Sequence, residues 1–193
     1  MRKILNYTSF YNSLGPLKVF SREQAEQFFP KFDSRRLFEW KQKDYLYKLT
    51  NKWYCFTNIP NTLGVQYLIS NSLCKPSYIS LETALYFHQF ILDCAPADSF
   101  DEKSTQAITK HKTVIYQNDR GIYSYRKIKP EFYFGFENVE IDGKPIQMAI
   151  PEKAIIDFLY FNANLNSLSK LTNIAWNIQS LAELDWKKLS SIQ

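Results

Sequence analysis

Apolar residues recur at helical spacing in three short segments of the first sixty residues, and this spacing predicts three helices. The apolar face of the first helix ends at the helix-breaking pair Gly15-Pro16 and comprises Ile4, Tyr7, Tyr11 and Leu14. The second helix is predicted to follow a capping box formed by Ser21 and Gln24 and to end near Phe29. Its predicted buried residues are Ala25, Phe28 and Phe29.

The third helix is short, and either Asp33 or Ser34 can cap its first turn. Leu37 and Trp40 lie three residues apart and give this helix an apolar inner face. Phe38 is an alternative inward residue, and its burial in place of Trp40 would rotate the exposed face of the helix.

After the third helix the apolar period changes to two, over residues 45–49 and 53–56. This alternation predicts a hairpin around Thr50-Asn51-Lys52, where Asn51 can adopt a positive φ. Three short helices followed by a hairpin are typical of a winged helix-turn-helix, and we expect residues 1–58 to form such a DNA-binding domain.

The predicted DNA contacts follow from this arrangement. A helix-turn-helix reads bases mainly from the N-terminal residues of its second helix, where Arg35 and Arg36 lie, and an Arg can bridge O6 and N7 of guanine. Lys48 and Lys52 suit phosphates beside the groove. The predicted DNA-binding residues are Ser34, Arg35, Arg36, Glu39, Lys43, Lys48, Asn51 and Lys52. An ordinary solvated surface, with Lys protecting an edge strand, is the alternative.

Charge divides the chain at the same place. Residues 1–60 contain eleven Lys or Arg and five Asp or Glu, a net charge of +6, whereas residues 61–193 contain thirteen and fourteen, a net charge of −1. Such asymmetry indicates a nucleic-acid-binding module joined to a neutral module with another role.

The segment Asn58-Ile59-Pro60-Asn61 is a short polar link, and residues 61–193 are predicted to form a second domain. Its predicted helices cover about 63–73, 81–91, 151–160 and 165–178, and a last short helix around Trp186 is capped by Ser180 with Glu183. A surface loop is predicted over 95–106. An extended segment is predicted at 77–79, and strands with antiparallel pairing are predicted at about 108–116, 121–128, 132–141 and 144–150. The expected fold class is α+β: a winged helix-turn-helix, then a mixed domain with a mainly antiparallel sheet and C-terminal helices.

The helix that begins at Pro151 carries both an apolar face and a charged pair. Its predicted buried residues are Ile155, Ile156, Leu159 and Tyr160. Lys153 and Asp157 are four residues apart and can pair on one face. Glu152 in its first turn, like Glu82 near the start of an earlier helix, suits a helix N-terminus whatever its function.

Several stretches of the chain, in this order, resemble one family of regulators. In the first domain these are the helix with Leu37 and Trp40 and the hairpin strands; in the second they are residues 78–85, 123–131, 134–136 and 149–160. The chain thus resembles the AbiEi family of antitoxins, transcriptional regulators of bacterial type IV toxin–antitoxin (abortive-infection) operons, over about residues 37–160. The family's Gly after the helix is Asp44 here, and the Arg-Gly turn of its wing is Asn51-Lys52.

The resemblance implies an N-terminal winged helix that represses its own operon and a C-terminal α+β domain with antitoxin activity. The implied partners are double-stranded DNA of its own promoter, with inverted repeats, and a nucleotidyltransferase toxin opposed without a stable complex. A solo regulator without antitoxin activity and a protein-interaction module built on the winged helix remain open alternatives.

Other candidate sites are weaker. Tyr125, Arg126, Lys127 and Lys129 form an aromatic and basic strand that could be a second DNA or partner surface, although a half-buried strand explains it equally well. Pro130-Glu131 followed by Asp142-Gly143-Lys144 faintly resembles a PD-(D/E)xK nuclease, but Asp-Gly is more often a hairpin turn.

We expect no enzyme activity, no metal and no cofactor, because the three cysteines lack CxxC spacing and no phosphate-binding loop is present. Without a signal peptide or spanning segment, a cytoplasmic location is expected.

Overall fold

The first two helices begin at side chains that accept backbone hydrogen bonds. Asn6 Oδ1 accepts from the Ser9 amide at 2.8 Å. Ser21 Oγ accepts from the Gln24 amide at 3.1 Å while Gln24 Oε1 accepts from the Ser21 amide at 2.8 Å, which confirms the predicted capping box. This computed structural model describes residues 5–91, 104–163 and 174–184.

The first sixty residues form three helices and a three-stranded sheet. The elements are α1 (Tyr7–Leu14), β1 (Val19–Ser21), α2 (Arg22–Phe28), α3 (Arg35–Gln42), β2 (Leu46–Lys48) and β3 (Trp53–Phe56). Both pairs of the sheet, whose order is β1-β3-β2, are antiparallel. The hairpin was predicted, whereas β1 was not, because three residues are too few to establish a period of two.

The predicted buried faces of the first two helices need correction. In α1 the buried residues are Phe10 and Leu14, with Tyr7 and Tyr11 only half-buried. In α2 only Ala25 is buried, and Phe28 is 51% exposed because the helix ends there and the chain turns away.

The second part of the chain carries a mixed sheet between helices. Its elements are α4 (Leu63–Leu73), β4 (Ser77–Ile79), α5 (Leu81–Phe87), β5 (Ser104–Thr109), β6 (Val114–Asn118), β7 (Gly121–Lys127), β8 (Phe136–Ile141), β9 (Lys144–Ala149), α6 (Pro151–Phe161) and α7 (Ile178–Ala182). The strand order is β6-β7-β5-β4-β9-β8. Among the described residues the α+β class is therefore confirmed.

The strands differ from the expectation in their pairing and in their bounds. The pairs β4·β9 and β5·β7 are parallel, whereas β4·β5, β6·β7 and β8·β9 are antiparallel. The strand predicted over 108–116 is two strands, β5 and β6, separated by residues 110–113. Residues 104–106, predicted to be loop, belong to β5, and the rest of that predicted loop, 95–103, lies outside the described residues.

The C-terminal predictions are tested only in part, since residues 164–173 and 185–193 lie outside the described ranges. The short helix α7 begins after Asn177, whose Oδ1 accepts from the Ser180 amide, so Ser180 lies inside this helix. The helix predicted around Trp186 lies outside the described residues, and residues 174–177, which were predicted to be helical, are not helical. Helix α5 ends at Phe87, four residues before the predicted end.

The three-stranded sheet is covered on both faces. One face, including Phe20 and Phe56, packs on the three helices of the first unit. The other face, including Val19, Leu49 and Cys55, packs in one cluster with Val65, Ile69, Leu73, Ala107, Tyr123 and Tyr125 of the second unit. The link at 58–61 therefore joins two units that share a hydrophobic core. Within the described ranges, no helix has the length and apolarity that crossing a bilayer requires.

Candidate nucleic-acid interface

Helix α3 is fixed to the first unit by its apolar inner face. Leu37 is 2% exposed and Trp40 is 4% exposed, as predicted. The Trp40 ring lies 4.5 Å from that of Phe10 and 5.7 Å from that of Tyr7, measured between ring centroids. Burial of these residues points the opposite side of α3 outward.

The outward side of α3 combines charged, polar and aromatic side chains. Arg35, Phe38, Glu39 and Gln42, which recur at intervals of three and four residues, are exposed. Phe38 is 65% exposed, so the alternative in which Phe38 faces inward is wrong. The prediction of DNA contacts omitted both Phe38 and Gln42, although their spacing from Arg35 places them on this face.

Both arginines of α3 have acidic neighbours at the surface. Arg36 Nη1 lies 2.9 Å from Glu39 Oε2, and Arg35 Nε lies 3.6 Å from Asp33 Oδ1. Exposed pairs of this kind contribute little to stability, so either guanidinium can exchange its partner for a phosphate or a base at small cost. The Asp33 carboxylate also accepts from the Arg35 amide at 3.0 Å, whereas Ser34 makes no side-chain capping bond.

The chain reverses direction between α3 and the hairpin. Asp44 adopts a left-handed conformation with φ of 54°, and the Tyr45 amide donates to the Trp40 carbonyl at 2.9 Å. Lys43, at the end of α3, is exposed. The left-handed position is one where glycine is favoured, and Asp is among the few other residues that tolerate it.

The hairpin tip is organised by a threonine. Thr50 Oγ1 accepts from the amides of Lys52 and Trp53, at 3.3 and 3.2 Å. Asn51 does not adopt the positive φ that its side chain would allow, and the Thr50 hydroxyl closes the turn instead. Lys48, Asn51 and Lys52 are all exposed.

The candidate second basic surface is only partly accessible. Tyr125 is fully buried, and its hydroxyl donates to the Ser70 carbonyl at 2.6 Å, so it is not a surface residue. Arg126, Lys127 and Lys129 are exposed. Strand alternation turned Tyr125 inward because this face of β7 packs against α4 and the first unit.

Further cations gather at the same end of the six-stranded sheet. The register pairs Thr109 with Lys127, which brings the exposed Lys110 and Lys112 beside Lys127. Lys75 lies at this end as well, with its Nζ 5.5 Å from the centre of the Trp53 ring at the hairpin. The basic run Lys110-His111-Lys112 is visible in the sequence, but only the sheet topology places it here.

Three of the segments quoted for the resemblance, residues 78–85, 134–136 and 149–160, meet at a buried ion pair. Lys153 and Asp157 are 1% and 0% exposed and form a salt bridge. Asp157 Oδ2 also accepts from Ser80 Oγ at 2.8 Å and from the Tyr78 hydroxyl at 3.0 Å. Gly135 packs closely against the side chain of Lys153: a Cβ added at Gly135 would lie only 3.0 Å from Lys153 Cγ.

The buried face of α6 differs from the predicted one because it includes this pair. Because Lys153 and Asp157 neutralise each other, both can be buried, and Leu159 and Tyr160 are left 41% and 43% exposed. Burial raises the pKa of Asp157, and the charge of Lys153 opposes that rise. Burial and the adjacent Asp157 charge raise the pKa of Tyr78, which keeps its hydroxyl protonated as a donor.

Two residues of the nuclease-like pattern, Asp142 and Gly143, form a hairpin turn. Asp142 and Gly143 have φ of 52° and 71° and connect β8 to β9, as the hairpin prediction requires. Asp142 Oδ2 accepts from Thr62 Oγ1 at 2.8 Å. Among the described residues no group of three or more His, Cys, Asp or Glu could hold a metal ion. Cys55 and Cys74 are free thiols, and burial raises the pKa of Cys55 to about 11.

No model of a protein family matches this chain, and no curated protein matches it. The resemblance to the AbiEi family therefore rests on the residues of this chain alone.

Proposed function

We propose that this protein is a DNA-binding transcriptional regulator whose first unit is a winged helix-turn-helix. The order of its elements, with a strand between the first two helices and a hairpin after the third, supports this assignment. Helix α3 is the proposed recognition helix, and the β2–β3 hairpin is the proposed wing.

The observation that carries the proposal is the two-sided character of α3. Leu37 and Trp40 fix its inner face, while Arg35 near its N-terminus is outward with its side chain 89% exposed. A helix held rigidly by one face can present the other to the major groove without a further cost for ordering its backbone. The exposed Lys48 and Lys52 supply cations for phosphates near the hairpin tip.

We further propose that the chain is an AbiEi-type regulator and antitoxin. Three of the stretches that resemble the family converge on Lys153 and Asp157, which supports a shared fold of the second domain. The positive φ of Asp44 also suits the family's Gly at this position. Since these motif residues are buried, antitoxin activity is assigned to other, exposed residues of the second domain.

The DNA-binding proposal is tested with duplex DNA from the promoter of the protein's own gene. We expect Arg35→Ala with Arg36→Ala to lower affinity for that promoter at least tenfold, since a bidentate contact to guanine contributes about 1–3 kcal/mol of discrimination. Lys144→Ala, which removes a cation at the β8–β9 hairpin, is the control and should bind as the wild type does. Equal affinity of the double variant and the wild type would contradict the proposal.

The wing is tested separately. Lys48→Ala and Lys52→Ala should weaken binding to promoter and random duplex alike, and each should lower the dependence of log affinity on log salt by about one unit. A loss confined to the promoter would show that the hairpin reads sequence.

The antitoxin proposal needs a genetic experiment. We expect the adjacent open reading frame to encode a nucleotidyltransferase whose growth arrest is relieved when this protein is co-expressed. Arrest that persists while promoter binding is intact would favour the alternative, a solo winged-helix regulator.

A further inference from the structure

Phe38 is the most exposed large aromatic side chain of the first unit among the described residues, at 65%. Single exposed apolar residues are common on protein surfaces and carry no meaning by themselves. The location of Phe38 is informative: it lies on the outward face of α3, one turn after Arg35 and one turn before Gln42. Its neighbours on this face can hydrogen-bond to base edges, whereas Phe38 cannot.

The major-groove edge of DNA offers one apolar group, the 5-methyl of thymine, and Phe is a side chain that contacts it. We propose that Phe38 is a specificity-determining residue that packs against a thymine methyl group in the target site. This inference rests on the proposed function of α3. Three residues of helix advance by about 4.5 Å, so the thymine lies within about two base pairs of the base that Arg35 contacts.

The proposal is tested with DNA that differs by the methyl group alone. Duplexes bound by the wild-type protein are selected from a randomised pool, and each thymine of the selected site is then replaced by deoxyuridine. For the wild type, one replacement per half-site is expected to weaken binding about fourfold, the effect of losing one buried methyl group. The Phe38→Ala variant should bind the thymine and deoxyuridine duplexes equally.

A matched control is available in the same unit. Phe28 is 51% exposed but lies at the end of α2, so Phe28→Ala should retain the sensitivity to deoxyuridine. Because the side chain of Phe38 is exposed, its removal should leave the circular dichroism spectrum and the unfolding midpoint unchanged.

The outcomes separate this inference from the function on which it rests. If the pool yields no enriched sequence, sequence-specific DNA binding is overturned and the role of Phe38 with it. If a site is enriched but no thymine responds to deoxyuridine, the role of Phe38 alone is overturned. The same conclusion follows if Phe38→Ala keeps the wild-type methyl preference, including the case in which it alters only self-association.

Discussion

Arg120 donates a hydrogen bond from its Nη2 atom to the carbonyl oxygen of Ile59 at 3.0 Å, and thereby ties the second unit to the link between the units. The same Nη2 lies 3.1 Å from the Pro60 carbonyl oxygen, and the guanidinium lies 5.3 Å from the centre of the Tyr47 ring. Arg120 is only 5% exposed, in the turn between β6 and β7. One side chain therefore contacts the link and the hairpin together.

Arg120→Ala should destabilise the whole chain. Hydrogen bonds from a charged donor contribute about 1.5–3 kcal/mol, and the variant removes the shared donor of two carbonyl oxygens of the link. Urea unfolding followed by circular dichroism measures the change. Arg126→Ala is the matched control, because Arg126 is exposed and its contact to the Phe161 carbonyl is long, at 3.5 Å; its loss should cost less than about 0.5 kcal/mol. Equal effects of the two variants would contradict the proposed role of Arg120.

The two faces of α3 should respond differently to truncation. Trp40→Ala removes a buried ring that contacts Phe10 and Tyr7, and should lower the free energy of unfolding by about 3–5 kcal/mol. Phe38→Ala should change it by less than about 0.5 kcal/mol. Chemical denaturation of both variants checks the orientation of the helix. A larger loss of free energy of unfolding for Phe38→Ala than for Trp40→Ala would show that Phe38 faces the core.

The buried pair in α6 predicts strong coupling between two substitutions. Lys153→Met leaves Asp157 buried without its cation and should cost about 3–5 kcal/mol. Adding Asp157→Asn removes the uncompensated charge but keeps an oxygen that can accept from Ser80 and Tyr78, so the double variant should be more stable than Lys153→Met alone. A double-mutant cycle measures the coupling, and additive losses would contradict it.

His88 predicts a dependence of stability on pH. Burial lowers the pKa of His88, and its Nε2 donates to the Ala149 carbonyl at 2.8 Å. In the unfolded chain the pKa of this histidine is about 6.5. As the pH falls through that pKa, the unfolded chain takes up a proton before the folded chain does, so the free energy of unfolding decreases. Between about pH 8 and 5.5 the wild type should lose more stability in urea than His88→Gln. Identical losses would show that His88 contributes nothing.

Local features were predictable where the information lies within a few residues. The capping box of Ser21 with Gln24, the inner face of Leu37 with Trp40 and the Asp142-Gly143 turn each follow from neighbouring residues, and each is found. The predicted DNA-binding residues are likewise found at the surface, with Ser34 and Arg36 half-buried. Their role in DNA binding stays a proposal.

Long-range features were not predictable in the same way. Tyr125 was a candidate for a second surface, but β7 turns it towards Ser70. The basic group at Lys75, Lys110 and Lys127 forms only because β4, β5 and β7 align. Periodicity says that alternate residues share a face and does not say which face is covered.

The sequence by itself determined where most of the described helices and hairpins begin. It also determined that positive charge concentrates in the first sixty residues and that α3 has one apolar side. The tertiary structure decided the parallel pairing of β4 with β9, the burial of Lys153 with Asp157, and the outward position of Phe38. The physical reason is that capping and turn formation depend on residues a few positions apart, whereas burial of a strand face or a charge depends on partners brought together by the fold.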